Sequence, residues 1–441
     1  KDVYNKVLSQ MLDQKVLTAK NIPEGSVLVA GYINPSDAMF ITQKKLKGIV
    51  TTEGGKHSHL AILANTYGIP FVYGIENIDK IIKTNDTVIV DGNSGTIYVN
   101  PDEVVLHVFN AQIKDLEEEN SHLAKFKGKN ATTKDGVIIN INANIGNVEE
   151  GFLAFEDGAD GIGLFRSELL FMEKADMSEE SQFAAYKQVL ETAKEKTVTI
   201  RTLDCGGDKI IKSPDIIQES EKNPLLGWRA IRFTLDNTDL FKTQLRALYR
   251  ASVFGNLKIM FPLISCHEQV MSVLKLVKEV QNQLTQEKIP FDKNVPLGIM
   301  IETPAAALIA DHLAPTVSFF SIGTNDLTQY TTCVDRENAK VSHLFSEFHP
   351  AVIRLIKNTI EAGQNHNIDV SVCGELAGSI EGAILLVGMG VRTLSVSSRK
   401  INKVKEVLSR FSLQEIENIA LETLKHPDAE TVLSTIQAFI K

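Results

Sequence analysis

From residue 135 to the C-terminus, eight apolar runs of β character recur at residues 137–142, 161–167, 197–204, 258–263, 297–302, 319–326, 369–375 and 393–398. A helical or loop segment separates each run from the next. Strands that alternate with helices pair in parallel, because each connection must cross back over the sheet. Eight such units in one domain predict a (β/α)8 barrel. A doubly wound sheet is the alternative that the count alone leaves open.

A barrel of this type presents its chemistry at the C-terminal ends of its strands. Here those ends are polar. The second run ends in Arg166-Ser167-Glu168. The third carries Arg201 and reaches Asp204, and the following segment carries Arg229. The fifth ends in Glu302-Thr303-Pro304, the sixth in Asn325-Asp326 with Arg336 in the loop beyond, and the seventh in Cys373-Gly374-Glu375. Guanidinium forks match carboxylate and phosphate oxygens in bidentate fashion. Glu302 and Asp326 offer hard oxygen ligands without a supporting His or Cys, which favours Mg2+ or Mn2+ over zinc. Taken singly, each residue has a plainer reading. An arginine at a strand end forms a surface ion pair, a carboxylate there caps the next helix, and Cys373 is a small buried hydrophobe. Their joint occurrence at predicted strand ends favours a small, multiply anionic substrate held through a divalent cation.

Upstream, residues 21–101 alternate β-runs (26–31, 48–52, 71–74, 87–92 and 96–100) with helical pieces near 36–46 and 57–67, and Asp91-Gly92-Asn93-Ser94-Gly95 signals a hairpin. The predicted organisation is a helical tail and connector over 1–20, a small α/β domain over 21–101, a charged linker helix over 102–130 and the barrel over 131–441. Within the small domain, the run at 48–52 leads into Glu53-Gly54-Gly55-Lys56-His57-Ser58-His59 and then an amphipathic helical pattern. The glycines allow a sharp turn. The histidines fall where the helix starts, and free N–H groups there suit an anion. An imidazole at this point could carry a phosphoryl group; a glycine-rich turn with two incidental surface histidines is the other reading.

Composition narrows the classes. The formal net charge of −9 leaves no electrostatic footprint for nucleic acid. Four cysteines without a CxxC pair argue against a disulfide framework or a zinc site and suit reduced thiols in a cytoplasm. No run approaches the about 18 apolar residues of a membrane span. The chain opens on Lys1 in a helical pattern, which predicts a natural N-terminus further upstream.

With the whole set in view, the sequence resembles the enzyme I family of the bacterial phosphoenolpyruvate:sugar phosphotransferase system. The motifs that carry the resemblance run through both domains: GGKHSHLAILA, DGIGLFRSELLFM, RTLDCGGDK, NPLLGWRAIR, IMFPLIS, GIMIETPAA, FFSIGTNDLTQYT, VDRENAKV, HPAV and VCGELAG. The resemblance implies that His59 is the phosphorylated nucleophile and that Glu302 and Asp326 bind Mg2+. It implies that Arg166, Arg201, Asn325 and Arg336 hold phosphoenolpyruvate, with Arg229 nearby, and that Cys373 protonates the enolate carbon to give pyruvate. It also implies a swivelling phosphohistidine domain, a homodimer formed through the barrel, a histidine-containing phosphocarrier protein as partner, and a cytoplasmic location. The family's N-terminal helical domain, which docks that carrier, is expected to be absent, with residues 1–14 as its trailing helix. Three positions depart from the usual pattern: His57 stands where Thr is usual, Ser167 where Thr is usual, and Ser397-Ser398-Arg399 is atypical. Two alternatives stay open. Pyruvate phosphate dikinase and phosphoenolpyruvate synthase share both domains but carry a nucleotide-binding domain upstream. A non-catalytic phosphoenolpyruvate sensor would keep the pocket without turnover.

Overall fold

Three short parallel strands, β1 (Val27–Ala30), β2 (Gly48–Thr51) and β3 (Phe71–Tyr73), form a sheet in the order β1-β2-β3. The central strand is buried along its whole length. Its alternation sends Ile49 into one small core with Ile22, Leu46, Leu60, Ala64 and Ile69, and Val50 into another with Ile78 and Ile82. Strands β4 (Val88–Asp91) and β5 (Thr96–Val99) form the expected hairpin. Asp91 fixes its turn by accepting hydrogen bonds from the Asn93 N–H (2.9 Å) and the Ser94 hydroxyl (2.7 Å). A helix follows over Glu103–Leu123, with Asp102 accepting from the Val105 N–H at its start and no residue buried along its length. It ends earlier than the charge pattern suggested, in a short turn over Ala124–Phe126.

The structure, a computed structural model, describes residues 22–31, 33, 46–53, 60–61, 64, 67–168, 170, 178–206, 221–336, 338 and 340–441. The described residues divide into two compact units between Ser121 and His122. The predicted tail over 1–20 and most of the predicted helix over 36–46 lie outside the described residues.

The second unit is a closed barrel. After the two-residue β6 (Ala131–Thr132) come β7 (Ile138–Ile145), β8 (Ile162–Arg166), β9 (Thr197–Arg201), β10 (Asn256–Phe261), β11 (Leu297–Ile301), β12 (Phe319–Ile322), β13 (Asp369–Val372) and β14 (Thr393–Val396). Each of β7 to β13 pairs in parallel with the next, and β14 pairs with β7 to close the ring. All eight runs read from the sequence are strands of this barrel. Residues facing outward, such as Ile139, Ile141, Ala143 and Ile145 of β7, pack into the main core with the surrounding helices. Each fully buried Ile, Leu or Phe there stabilises by about 1.5–3 kcal/mol. Inside the barrel, Leu164, Met260, Met300, Phe319 and Cys373 form a separate apolar cluster.

The ends of the strands differ from the sequence expectation in a consistent way. Strands β11, β12 and β13 stop at Ile301, Ile322 and Val372, before the polar residues assigned to their tips. Those residues belong instead to the turns and first helical positions beyond. Thr303, for example, caps the helix Pro304–Leu308 by accepting from the Ala306 N–H at 3.1 Å. Strand β7 runs the other way and extends to Ile145, three residues past its expected end, which carries Asn144 up toward the mouth.

Candidate active site at the barrel mouth

The residues singled out in the sequence come together where the strands of the barrel end. Arg201 closes β9 and is buried. Its guanidinium pairs with Glu168, just past β8, and with Asp204 at 3.0 Å. Asp204 also accepts from Arg229 at 2.9 and 3.2 Å. Arg229 reaches on to Asp326 at 3.4 Å, and Asp326 lies 3.7 Å from Arg336. The result is an alternating chain, Glu168–Arg201–Asp204–Arg229–Asp326–Arg336, in which four members are almost wholly buried. Arg229 owes its place to Gly206, which bridges to it in antiparallel fashion at a φ of 103°. A side chain at position 206 would collide with the carbonyl of Trp228 and lie 2.8 Å from the Arg229 Cα. Ala230, next in the chain, takes a left-handed φ of 52°, and its N–H donates to the Cys205 carbonyl at 2.8 Å.

Burial alone would lower the arginine pKa values, but Glu168 and Asp204 around Arg201, and Asp204 and Asp326 around Arg229, outweigh it and raise them. Both guanidinium groups therefore stay charged. The Nε atoms of Arg201 and Arg229 are buried with no acceptor among the described residues. Arg166 closes β8, is exposed, and has no ion pair among the described residues.

Glu302 is buried and accepts from the Leu263 N–H at 2.6 Å. Leu263 itself holds a left-handed φ of 54°. Burial pushes the Glu302 carboxyl well above the usual carboxylate range, the like charges of Asp326 and Asp204 add to this, and Arg201 and Arg229 oppose it. Opposite it, Gly323 leaves open the space that a Cβ would fill at 3.1 Å from Glu302 Oε2. An oxygen-only pair, crowded by like charge and kept open by a glycine, fits a hard divalent cation such as Mg2+. Among the described residues no group of three or more His, Cys, Asp or Glu is arranged for a metal. A cation at Glu302 and Asp326 would complete its shell from substrate and water.

The β12–β13 side of the mouth adds neutral groups to Asp326. The helix Thr324–Thr332 begins directly after β12 and places Asn325 and Asp326 in its first turn. Asn325 Oδ1 accepts from the Glu375 N–H at 2.7 Å, which leaves its amide N–H groups to donate elsewhere. Cys373, just past β13, is buried in the apolar interior cluster, and its Sγ lies 3.6 Å from the Ile322 carbonyl. Burial pushes its pKa up, while the Ser321 hydroxyl and the charge of Arg201 pull the other way. The thiol is thus held protonated.

Arg166, Arg201, Arg229, Arg336, Asn325, Glu302, Asp326 and Cys373 all belong to this one mouth. His59, its neighbour His57 and the rest of the glycine–histidine turn lie outside the described residues. Three elements were missed in the sequence: the pairing roles of Glu168 and Asp204, and the placement of Asn144. The first two sat beside expected arginines at strand ends, a signal as strong as that for Glu302. The third is visible as alternation, since Ile139-Asn140-Ile141-Asn142-Ala143-Asn144 puts three amides on one face of a strand.

A family profile described as PEP-utilising enzyme, PEP-binding domain, matches residues 120–413, and one described as PEP-utilising enzyme, mobile domain, matches residues 22–95. The chain is 40% identical over its full length to the phosphoenolpyruvate-protein phosphotransferase of Buchnera aphidicola subsp. Schizaphis graminum and covers 77% of that protein. The chain belongs to the phosphoenolpyruvate-protein phosphotransferase family. Members from Haemophilus influenzae and Staphylococcus carnosus are 38% and 36% identical to it, again over its full length, and it covers 76% and 77% of them. The mouth described above lies within the span of the PEP-binding profile of this phosphotransferase family. Among the described residues, no helix is long and apolar enough to cross a membrane.

Proposed function

We propose that this chain transfers the phosphoryl group of phosphoenolpyruvate to His59 and releases pyruvate. The observation that carries the proposal is the convergence of Arg166, Arg201, Arg229 and Arg336 with the carboxylates Glu168, Asp204, Glu302 and Asp326 at one mouth. Burial and the like charge of Asp326 push the Glu302 carboxyl up, so a cation between them would let both ionise beside a multiply anionic substrate; Glu302 and Asp326 are the pair that would hold Mg2+. When bound, that cation would neutralise charge on the phosphoryl and enolate oxygens.

The chain's own residues do the rest. Arg166 and Arg336, the exposed arginines, meet the substrate first. Arg201 and Arg229, fixed by Asp204, supply charge that needs no reorganisation as the bond to the leaving oxygen breaks. Asn325 donates a neutral hydrogen bond to a phosphoryl oxygen. The His59 imidazole, in its neutral form, attacks phosphorus, and positioning supplies most of the acceleration. The enolate left behind takes the Cys373 proton at its terminal carbon and becomes pyruvate. The resulting thiolate then recovers a proton from solvent.

The names of the relatives support a protein as the next acceptor, and the proposal extends to a histidine-containing phosphocarrier protein feeding sugar uptake. A barrel-mediated homodimer and a cytoplasmic location belong to the same proposal, as does the division into a phosphohistidine domain over 21–101 and a connecting helix over 102–130. The deciding experiment uses phosphoenolpyruvate labelled at phosphorus, with Mg2+. Wild type should take up acid-labile label and His59→Ala should not; uptake by His59→Ala would remove His59 as acceptor. ATP-dependent labelling would instead favour the dikinase reading.

A further inference from the structure

Cys373 carries the acid role in the proposed reaction, yet it contributes only one rotatable bond between thiol and backbone. Where the thiol sits is therefore decided by what holds the Cys373 main chain. Its N–H donates to the Ile322 carbonyl at 3.0 Å, which ties it to β12. Its carbonyl is held from across β14 by Asn144 Nδ2 at 2.9 Å, a side chain of β7. The same Nδ2 donates to the Ser395 carbonyl at 3.1 Å, and Asn144 Oδ1 accepts from the Ser395 hydroxyl at 2.7 Å. One amide thus links the first, seventh and eighth strands of the barrel at the level of the thiol. The contact has little slack, because a Cβ at Gly163 of the neighbouring β8 would strike the Ser395 side chain.

The geometry assigns Asn144 as a positioning residue for proton delivery: it fixes the Cys373 main chain so that the thiol faces one side of the enolate carbon. This assignment rests on the reading of Cys373 as the acid. The step is the transfer of the Sγ proton to the terminal carbon of the enolate, which makes the methyl group of pyruvate and leaves a thiolate that solvent reprotonates. Asn144 itself exchanges no proton. It acts after phosphoryl transfer and has no contact with the arginine–carboxylate chain among the described residues.

Phosphoenolpyruvate carrying tritium at one vinyl position, turned over in heavy water, reports the face of protonation through the chirality of the pyruvate methyl group, which then bears one each of protium, deuterium and tritium. Enol that escapes unprotonated ketonises in solvent without preference for a face. Asn144→Asp keeps the shape but sets carboxylate oxygens against two carbonyls. We expect it to phosphorylate His59 within about threefold of wild type, to form pyruvate about 10²-fold more slowly, as for a misplacement near 1 Å, and to lose chirality in the product. Ser395→Ala removes only the bond into Oδ1, and should lower the stereospecific fraction while leaving phosphorylation unchanged; it carries the test if Asn144→Asp does not fold. Parallel loss of both half-reactions with chirality retained would show a merely structural Asn144 and overturn the assignment, as would a fully stereospecific Ser395→Ala in that second case. Cys373→Ala serves as the reference: stereospecific pyruvate from that variant would overturn the reading of the acid itself, whatever Asn144 does.

Discussion

The two sides of the barrel mouth solve opposite problems. On the β8–β9 side, the buried charges of Glu168, Arg201, Asp204 and Arg229 are paired end to end, and the chain of ion pairs then crosses to Asp326 beyond β12. On the β12–β14 side, the hydrogen bonds that hold Cys373 come from a neutral amide and main-chain groups, and the half-buried Glu347 accepts from the Thr324 hydroxyl and from the Leu376 N–H at 3.2 Å. Burial pushes the Glu347 carboxyl up as well. A phosphoryl group needs fixed positive charge, whereas an acid thiol needs surroundings that disfavour its anion. Placing the two environments on opposite arcs of one ring lets a single small substrate, with its phosphate at one end and its vinyl carbon at the other, meet both.

The largest expected effect comes from breaking the charged side. Arg201→Ala removes one ion-pair partner each from the buried Glu168 and Asp204. Uncompensated buried charge costs about 3–5 kcal/mol of stability, and loss of a positioned cation at the transferring group costs about 10³-fold or more in rate. Both should appear together, as a lower denaturation midpoint and as near-absent labelling of His59. Normal labelling would mean that this side is structural only. The next largest effect comes from the neutral side. Cys373→Ala should keep His59 labelling within about tenfold while slowing pyruvate formation by about 10²- to 10⁴-fold. If the two half-reactions fell equally in Cys373→Ala, the division of labour between the two sides would be wrong.

The architecture could be read from the sequence because eight apolar runs leave few ways to bury themselves, and the periodicity that gives strands also gives their order. That polar residues gather at the mouth was readable for a related reason: arginines and carboxylates at strand tips have no packing rationale. Pairing within the mouth was not readable. Nothing in the order of Arg166, Glu168, Arg201 and Asp204 says that Arg201, rather than Arg166, takes both carboxylates; that choice is made by where β8 and β9 end in space. Nor does the sequence reveal that Gly206 and Arg229 bridge, since they are separated by a long segment. Strand tips were placed too late for the same reason in β11, β12 and β13. The residues after the last ladder pair still look like strand, because the Gly323 and Cys373 N–H groups donate to the Ile301 and Ile322 carbonyls of the neighbouring strands.

A smaller effect separates the two sides by pH. The thiol must be protonated to deliver its proton, and burial raises its pKa. Pyruvate formation should therefore be flat at neutral pH and should fall as pH rises through that elevated value, above the ordinary thiol range. His59 labelling, which uses no proton from Cys373, should not fall with it. Rapid-quench measurement of both half-reactions across alkaline pH checks this, and a simultaneous fall would place the titrating group on the charged side instead.

The smallest effect tests whether a neutral bond on the charged side matters for charge placement. The Ser167 hydroxyl donates to the Arg201 carbonyl at 2.7 Å and accepts from Gln244 Nε2 at 3.1 Å. Ser167→Ala removes both, yet Gln244 Nε2 keeps its second contact with the Tyr186 hydroxyl at 3.1 Å, so only one group is left short of a partner. The loss should be about 1 kcal/mol of stability. Arg201 should stay in place, because Glu168 and Asp204 hold its guanidinium independently of its carbonyl. The rate of His59 labelling should then change by less than about threefold. A larger drop in labelling, with stability barely altered, would show that the arginine is aimed by its main chain rather than by its carboxylates, and that neutral hydrogen bonds set geometry on both sides of the mouth.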